Sequence, residues 1–162
     1  MKKVLTVSNI LSWINLVISS ILLIFALLIF VSAPIFPVLI SIVLIGCIAL
    51  HSYASLQLRK SIVNPTLPLG PQTPVGIRLM GSMALIFAFM SFLSAVFLLT
   101  NINEVLKQYK FPADVNKANL KTGLIISGVF SLIFSLCVVM NVILNLRLLK
   151  WYIIEKDSNK VQ

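Results

Sequence analysis

The chain has 162 residues, 59% of them hydrophobic and only 10% charged, whereas a soluble domain carries roughly 25% charged residues. Four bilayer-crossing helices of about 20 apolar residues each would occupy half of it, which excludes a sizeable soluble domain. The net charge of +9, from 13 Lys and Arg against four acids, does not point to nucleic acid, because no basic stripe is interleaved with aromatics and the cations flank apolar runs, where membrane topology and anionic headgroups place them.

In chain order, residues 1–9 read as a short polar leader with Lys2 and Lys3. Residues 10–32 form the first span. A secretory signal would have an apolar region of about 7–15 residues and then small residues at a cleavage site. This run is longer, and its Val31-Ser32-Ala33 is followed by Pro34, so the segment reads as an uncleaved span. Pro34 and Pro37 stop one helix and start the next, since Pro is tolerated in a first helical turn. The second span covers 37–58, and so short a connection predicts an antiparallel hairpin.

Arg59 and Lys60 close the second span. In the loop that follows, Pro65, Pro68, Pro71 and Pro74 recur every third residue, the period of a polyproline II helix. The plain reading is a stiff connector across the end of the bundle. The alternative is a ligand for a proline-recognising groove. The third span covers 76–100. A polar loop with Glu104, Asp114 and four lysines follows, in which Pro112 could open a short helix. The fourth span covers 122–149 and ends on Arg147, Lys150, Trp151 and Tyr152, a mixture typical of a membrane interface. Residues 154–162 read as a polar, frayed tail. The expected fold is therefore all-α: an integral membrane four-helix bundle with antiparallel neighbours, forming one domain over 10–153.

Basic residues predict orientation. Lys2, Lys3, Arg59, Lys60, Arg78, Arg147, Lys150, Lys156 and Lys160 fall on the side of the termini, against Lys107, Lys110, Lys117 and Lys121 on the other. The positive-inside bias puts both termini in the cytoplasm of a cell bearing this protein in its cytoplasmic membrane.

Helices in lipid associate through small residues, so stripes of such residues mark the expected seams. Ser8, Ser12, Asn15, Ser19 and Ala26 fall within an arc of roughly 60°. Gly81, Ala84, Ala88, Ser91 and Ala95 alternate spacings of three and four, as in a left-handed bundle. Gly123, Ser127, Ser131 and Ser135 are four apart, and Asn141 and Asn145 return to that face. The second span is weaker, with Ser41, Ser52 and Ser55 aligned. Counting along the helices at 1.5 Å per residue puts Asn15, His51 and Asn141 at one depth, with Ser52, Ser55, Gly81 and Ser82 nearby. A polar side chain in hydrocarbon is costly without a partner, so these residues are expected to face inward as a polar layer. His51 fits least well, being some 40–100° from the serines of its own span. The layer reads either as an interhelical clasp or as a binding or gating site.

Cys47 and Cys137 form no metal-type cluster. Their spans run in the same direction, and their depths differ by about 9 Å, whereas a disulfide needs Cα atoms within about 7 Å, so two free thiols are expected. All four acids, Glu104, Asp114, Glu155 and Asp157, lie outside the spans. The intramembrane carboxylate typical of proton-coupled transport is thus missing. So are the aspartate pairs or metal motifs of intramembrane proteases, any GxSxG signal to support a Ser–His51 pair, and a phosphate-binding glycine loop. No catalytic residue, metal or cofactor is expected. The leading reading is a non-enzymatic multi-pass protein that packs with or assists a membrane partner, or with a second copy of itself. The alternative is a small oligomeric pore or facilitator.

Overall fold

The computed structural model describes residues 2–64, 66–108 and 117–158, and the described residues form five helices and no strand. They are α1 (Lys2–Ser32), α2 (Phe36–Val63), α3 (Thr73–Thr100), the short α4 (Ile102–Gln108) and α5 (Lys117–Ser158). All except α4 are long and apolar enough to cross a membrane. The 28 residues of α2 or α3 give about 42 Å of helix, against a hydrocarbon core of about 30 Å. The outer faces support the same solvent: Ile24, Leu28, Val31, Phe36, Phe89 and Ile126 are each more than half exposed. Apolar surface on this scale belongs against lipid rather than water. The fold is the expected all-α four-helix bundle.

Prolines set the helix starts. Pro37 and Pro74 occupy the first positions of α2 and α3, where the missing N–H costs nothing. Only Ala33, Pro34 and Ile35 separate α1 from α2. The chain turns back at once, with Val38 N donating to Ile35 O at 3.0 Å. α1 packs on α2, α2 on α3, α3 on α5 and α5 on α1, closing a square in which α2 and α5 also touch across the diagonal. The start of α1 and the last turns of α5 lie at one end, here the terminal end, and α4 lies at the other.

Two expectations need correction. Residues 2–9, read as a leader, are the first turns of α1, and α5 continues through the segment read as a tail as far as Ser158. A helix pairs its own backbone wherever it goes, so it need not stop where the apolar run stops. The prolines of the second loop do not share one edge. Leu67 N donates to Asn64 O at 2.9 Å and Thr73 N to Gly70 O at 3.0 Å, two turns that break any polyproline line, and Pro74 is helical; Pro65 lies outside the described residues. A short helix does occupy the third loop, but at Ile102–Gln108; Pro112 lies outside the described residues. As expected, Cys47 and Cys137 are free thiols.

The core lies off-centre. In α1 the buried residues are Ser8, Ser12, Asn15 and Ser19, with none from Ser20 to Ser32, and α2 has none before Ile45. Packing is dense toward the terminal end and loosens toward α4. Gly81 and Gly123 record the difference, although α3 and α5 stay in close contact toward α4 at Gly128, where an added Cβ would meet Leu99 at 2.9 Å. A Cβ added at Gly81 would sit 3.1 Å from the His51 ring and 3.3 Å from Val142 Cγ1, while one at Gly123 would meet nothing within 4 Å. Gly81→Val is therefore expected to destabilise the bundle by about 1–3 kcal/mol, the usual cost of overpacking, whereas Gly123→Ala should be neutral or slightly stabilising because Ala is the better helix former. Thermal unfolding in detergent measures both.

Candidate functional site: a buried polar layer

Four helices bring polar or small residues to one level near the terminal end. From α1 come Ser8, Ser12 and Asn15, from α2 His51, Ser52 and Ser55, from α3 Gly81, and from α5 Asn141 and Asn145. Every one of these is buried, and Asn15, Ser52 and Asn145 are 0% exposed. The layer is closed on both sides by apolar packing. Toward the termini lie Leu58, Ile77, Leu148 and Leu149. On the other side lie Ile48, Ala84, Ala88, Phe134, Val138 and Val142.

The strongest bonding joins α1 to α5. Ser8 Oγ donates to Asn145 Oδ1 at 2.7 Å, and Ser12 Oγ donates to Asn141 Oδ1 at 2.9 Å. Asn15 Nδ2 donates to the Cys137 carbonyl at 3.4 Å. Partner numbers fall along α5 as they rise along α1, which is the signature of an antiparallel pair. Within α5, Asn145 Nδ2 is shared between the carbonyl and the side-chain oxygen of Asn141, at 2.7 and 2.8 Å. Asn141 Oδ1 thus accepts from both Ser12 and Asn145. Interhelical bonds of this kind contribute roughly 0.6–2 kcal/mol each.

His51 works on the other side of the layer, between α2 and α3. Its Nδ1 lies 3.2 Å from the Ile77 carbonyl. A carbonyl can only accept, so Nδ1 carries the proton and Nε2 is left facing the interior. The ring lies over Gly81, where a Cβ would meet it at 3.1 Å. A glycine here is thus what allows α3 to approach His51.

The layer is not one continuous network. No hydrogen bond among the described residues links Asn15, His51 and Asn141 to one another. Asn15 Oδ1, His51 Nε2, Ser52 Oγ and Asn141 Nδ2 are buried and have no partner. Two of these are acceptors, Asn141 Nδ2 is a donor and the Ser52 hydroxyl can donate.

The expected seams are divided. Gly81, Ala84, Ala88 and Ser135 are buried, and Ser131 is half-buried and hydrogen-bonded to Ser91 at 2.9 Å. Ser127, expected in the same α5 seam, is exposed within this bundle. At about 100° per residue it lies on the same arc of α5 as Asn145, but beyond the point where α1 and α2 pack tightly. Ser8, Ser12 and Asn145 were legible only as stripe members; they lie one or two turns from Asn15 or Asn141, and that spacing was the available signal. Among the described residues no three His, Cys, Asp or Glu side chains come together in a way that could hold a metal.

Asn141→Leu removes the acceptor for two side-chain donors, so it should lower stability in detergent by about 1–3 kcal/mol, while Ser127→Ala should change it by less than about 0.5 kcal/mol. Denaturation of the two variants side by side checks this; equal effects would place the layer outside the packing energetics.

No family model matches this chain, and no curated protein and no solved structure is significantly similar to it.

Proposed function

We propose that this is a non-enzymatic, multi-pass protein of the cytoplasmic membrane, with both termini cytoplasmic, that serves as an accessory or packing subunit for another membrane protein or for a second copy of itself. The observation that supports the partner is the unequal packing of the bundle. Gly123 and Ser127 lie within the same arc of α5 that is buried further along, at Val138, Asn141 and Asn145, yet both are exposed, and nothing stands within 4 Å of a Cβ at Gly123. Small inward-facing residues without a neighbouring helix suit close approach by another helix. The polar layer then acts as the clasp that holds the terminal half rigid while the other half receives the partner.

The facilitator reading has one observation in its favour, the four unpartnered polar atoms of the layer. The apolar clusters on either side of the layer weigh against it, since a polar solute would have to pass both of them. The orientation rests on the distribution of basic residues.

Three measurements test this reading. A photo-crosslinking residue at Ser127 should give a discrete protein adduct in native membranes, whereas the same residue at Ile126, which is 64% exposed, should react mainly with lipid; lipid adducts alone at both positions would contradict it. Proteoliposomes should swell in glycerol and leak protons at the protein-free rate, and rates several-fold faster would favour the facilitator. With Cys47 and Cys137 replaced by Ala, Thr66→Cys should be labelled from the cytoplasmic side and Lys107→Cys from outside; the reverse pattern would overturn the orientation.

A further inference from the structure

Outside the bundle, a groove of about 400 Å³ lies between α1 and α2 near the terminal end. Asn9, Trp13 and Leu16 line it from α1, spaced to fall on one helix face. α2 supplies Tyr53, Leu56, Gln57, Arg59 and Lys60. Its composition is graded. Arg59, Lys60, Asn9 and Gln57 lie toward the terminal end, and Leu16, Leu56 and the aromatic rings lie deeper. Trp13 is 53% and Tyr53 56% exposed, and the Tyr53 hydroxyl accepts from Gln57 Nε2 at 2.9 Å. Such a gradient matches an amphiphile with a polar head and an apolar chain better than it matches a small soluble ion.

Arg59 and Asn9, both half-buried residues of the lining, each also bury one unpartnered polar atom, Arg59 Nε and Asn9 Oδ1. Neither α1 nor α2 contains an acidic residue, so nothing on the two helices offsets Arg59 and Lys60. A second hollow of about 170 Å³, lined by the same two cations with Val63 and Asn64, adjoins the first. The pair therefore sits at a rim open on both sides. Tryptophan and tyrosine beside Lys and Arg are the side chains that anchor at the headgroup level, and basic pockets between spans suit anionic headgroups.

We infer that the α1–α2 groove is a binding site for an anionic glycerophospholipid. The phosphodiester oxygens accept from Arg59, in charge-assisted bonds, and pair with Lys60. One acyl chain lies along Trp13, Leu16 and Leu56. This rests on the reading of the chain as a membrane protein, but not on the identity of its partner.

The test uses Trp13 as the reporter, in the full chain carrying Trp151→Phe so that Trp13 is the sole tryptophan. Dibrominated phosphatidylglycerol should quench its fluorescence in detergent micelles at a mole fraction at least fivefold lower than dibrominated phosphatidylcholine. Arg59→Gln with Lys60→Gln should reduce that preference to less than twofold, while Lys150→Gln, an exposed cation of α5 at the same end, should leave it intact. The preference in the chain with both cations present stands without the double variant, should that variant fold poorly. Equal quenching by the two lipids, or an equal loss of preference in Lys150→Gln, would overturn the site. Displacement of the brominated lipid by soluble glycerol 1-phosphate at comparable concentration would also overturn it, by showing a site for a free anion. A chain that stays soluble without detergent and is quenched by neither lipid would contradict the membrane reading itself.

Discussion

A side-chain amide buried in an apolar medium must find a hydrogen-bond partner or destabilise the fold that buries it, and this constraint sets the register of the bundle. Lipid gives α1 no hydrophobic reason to pack on α5 rather than to turn away. Ser8, Ser12 and Asn15 supply that reason, because Asn145, Asn141 and the Cys137 carbonyl are their partners. Sliding α1 by one turn would separate all three pairs together. Apolar packing above and below the layer makes the penalty for such a slip larger, since it keeps bulk water from replacing a lost partner.

The same constraint accounts for the asymmetry of the molecule. Where amides and the histidine lie, the helices must come close, and Gly81 permits it by leaving room for the His51 ring. Toward α4 the inward faces carry serine, alanine and glycine but no amide. Serine can satisfy itself within its own helix, as Ser41 does on the Pro37 carbonyl at 3.0 Å and Ser32 on the Leu28 carbonyl at 2.9 Å. There α3 and α5 stay joined, with Ser91 and Ser131 2.9 Å apart, but no α1 residue after Ser19 and no α2 residue before Ile45 is buried, and the packing of those two helices loosens. A rigid half and an open half therefore follow from where the strong hydrogen-bonding residues sit in the sequence.

Much of the fold was legible because a single property, long apolar runs broken by proline, fixes the number and order of the spans. Helix ends were less legible. Hydropathy reports the medium around a segment, not its backbone conformation, so the polar turns at Lys2–Asn9 and Glu155–Ser158 were read as leader and tail although both are helical. The burial of Asn15, His51 and Asn141 followed from depth counting together with the cost of exposing an amide to lipid. Their individual partners did not, since one turn of register decides whether Ser12 or Asn15 faces Asn141. Helical angle alone placed Ser127 in the seam and could not show that the opposing helices are less tightly packed at that level. The meeting of Asn9 and Trp13 with Arg59 depends on how α1 lies against α2, which no periodicity in either helix encodes.

The central claim is that the polar layer holds α1 to α5 through specific pairs. The most direct measurement is a double-mutant cycle on Ser12→Ala and Asn141→Leu, read from reversible unfolding in detergent. A clasp predicts that the two substitutions are non-additive, with a coupling of about 0.6–2 kcal/mol, and that Ser94→Ala, an exposed serine of α3, shows no coupling to Asn141→Leu. Additive losses at Ser12 and Asn141 would contradict the account.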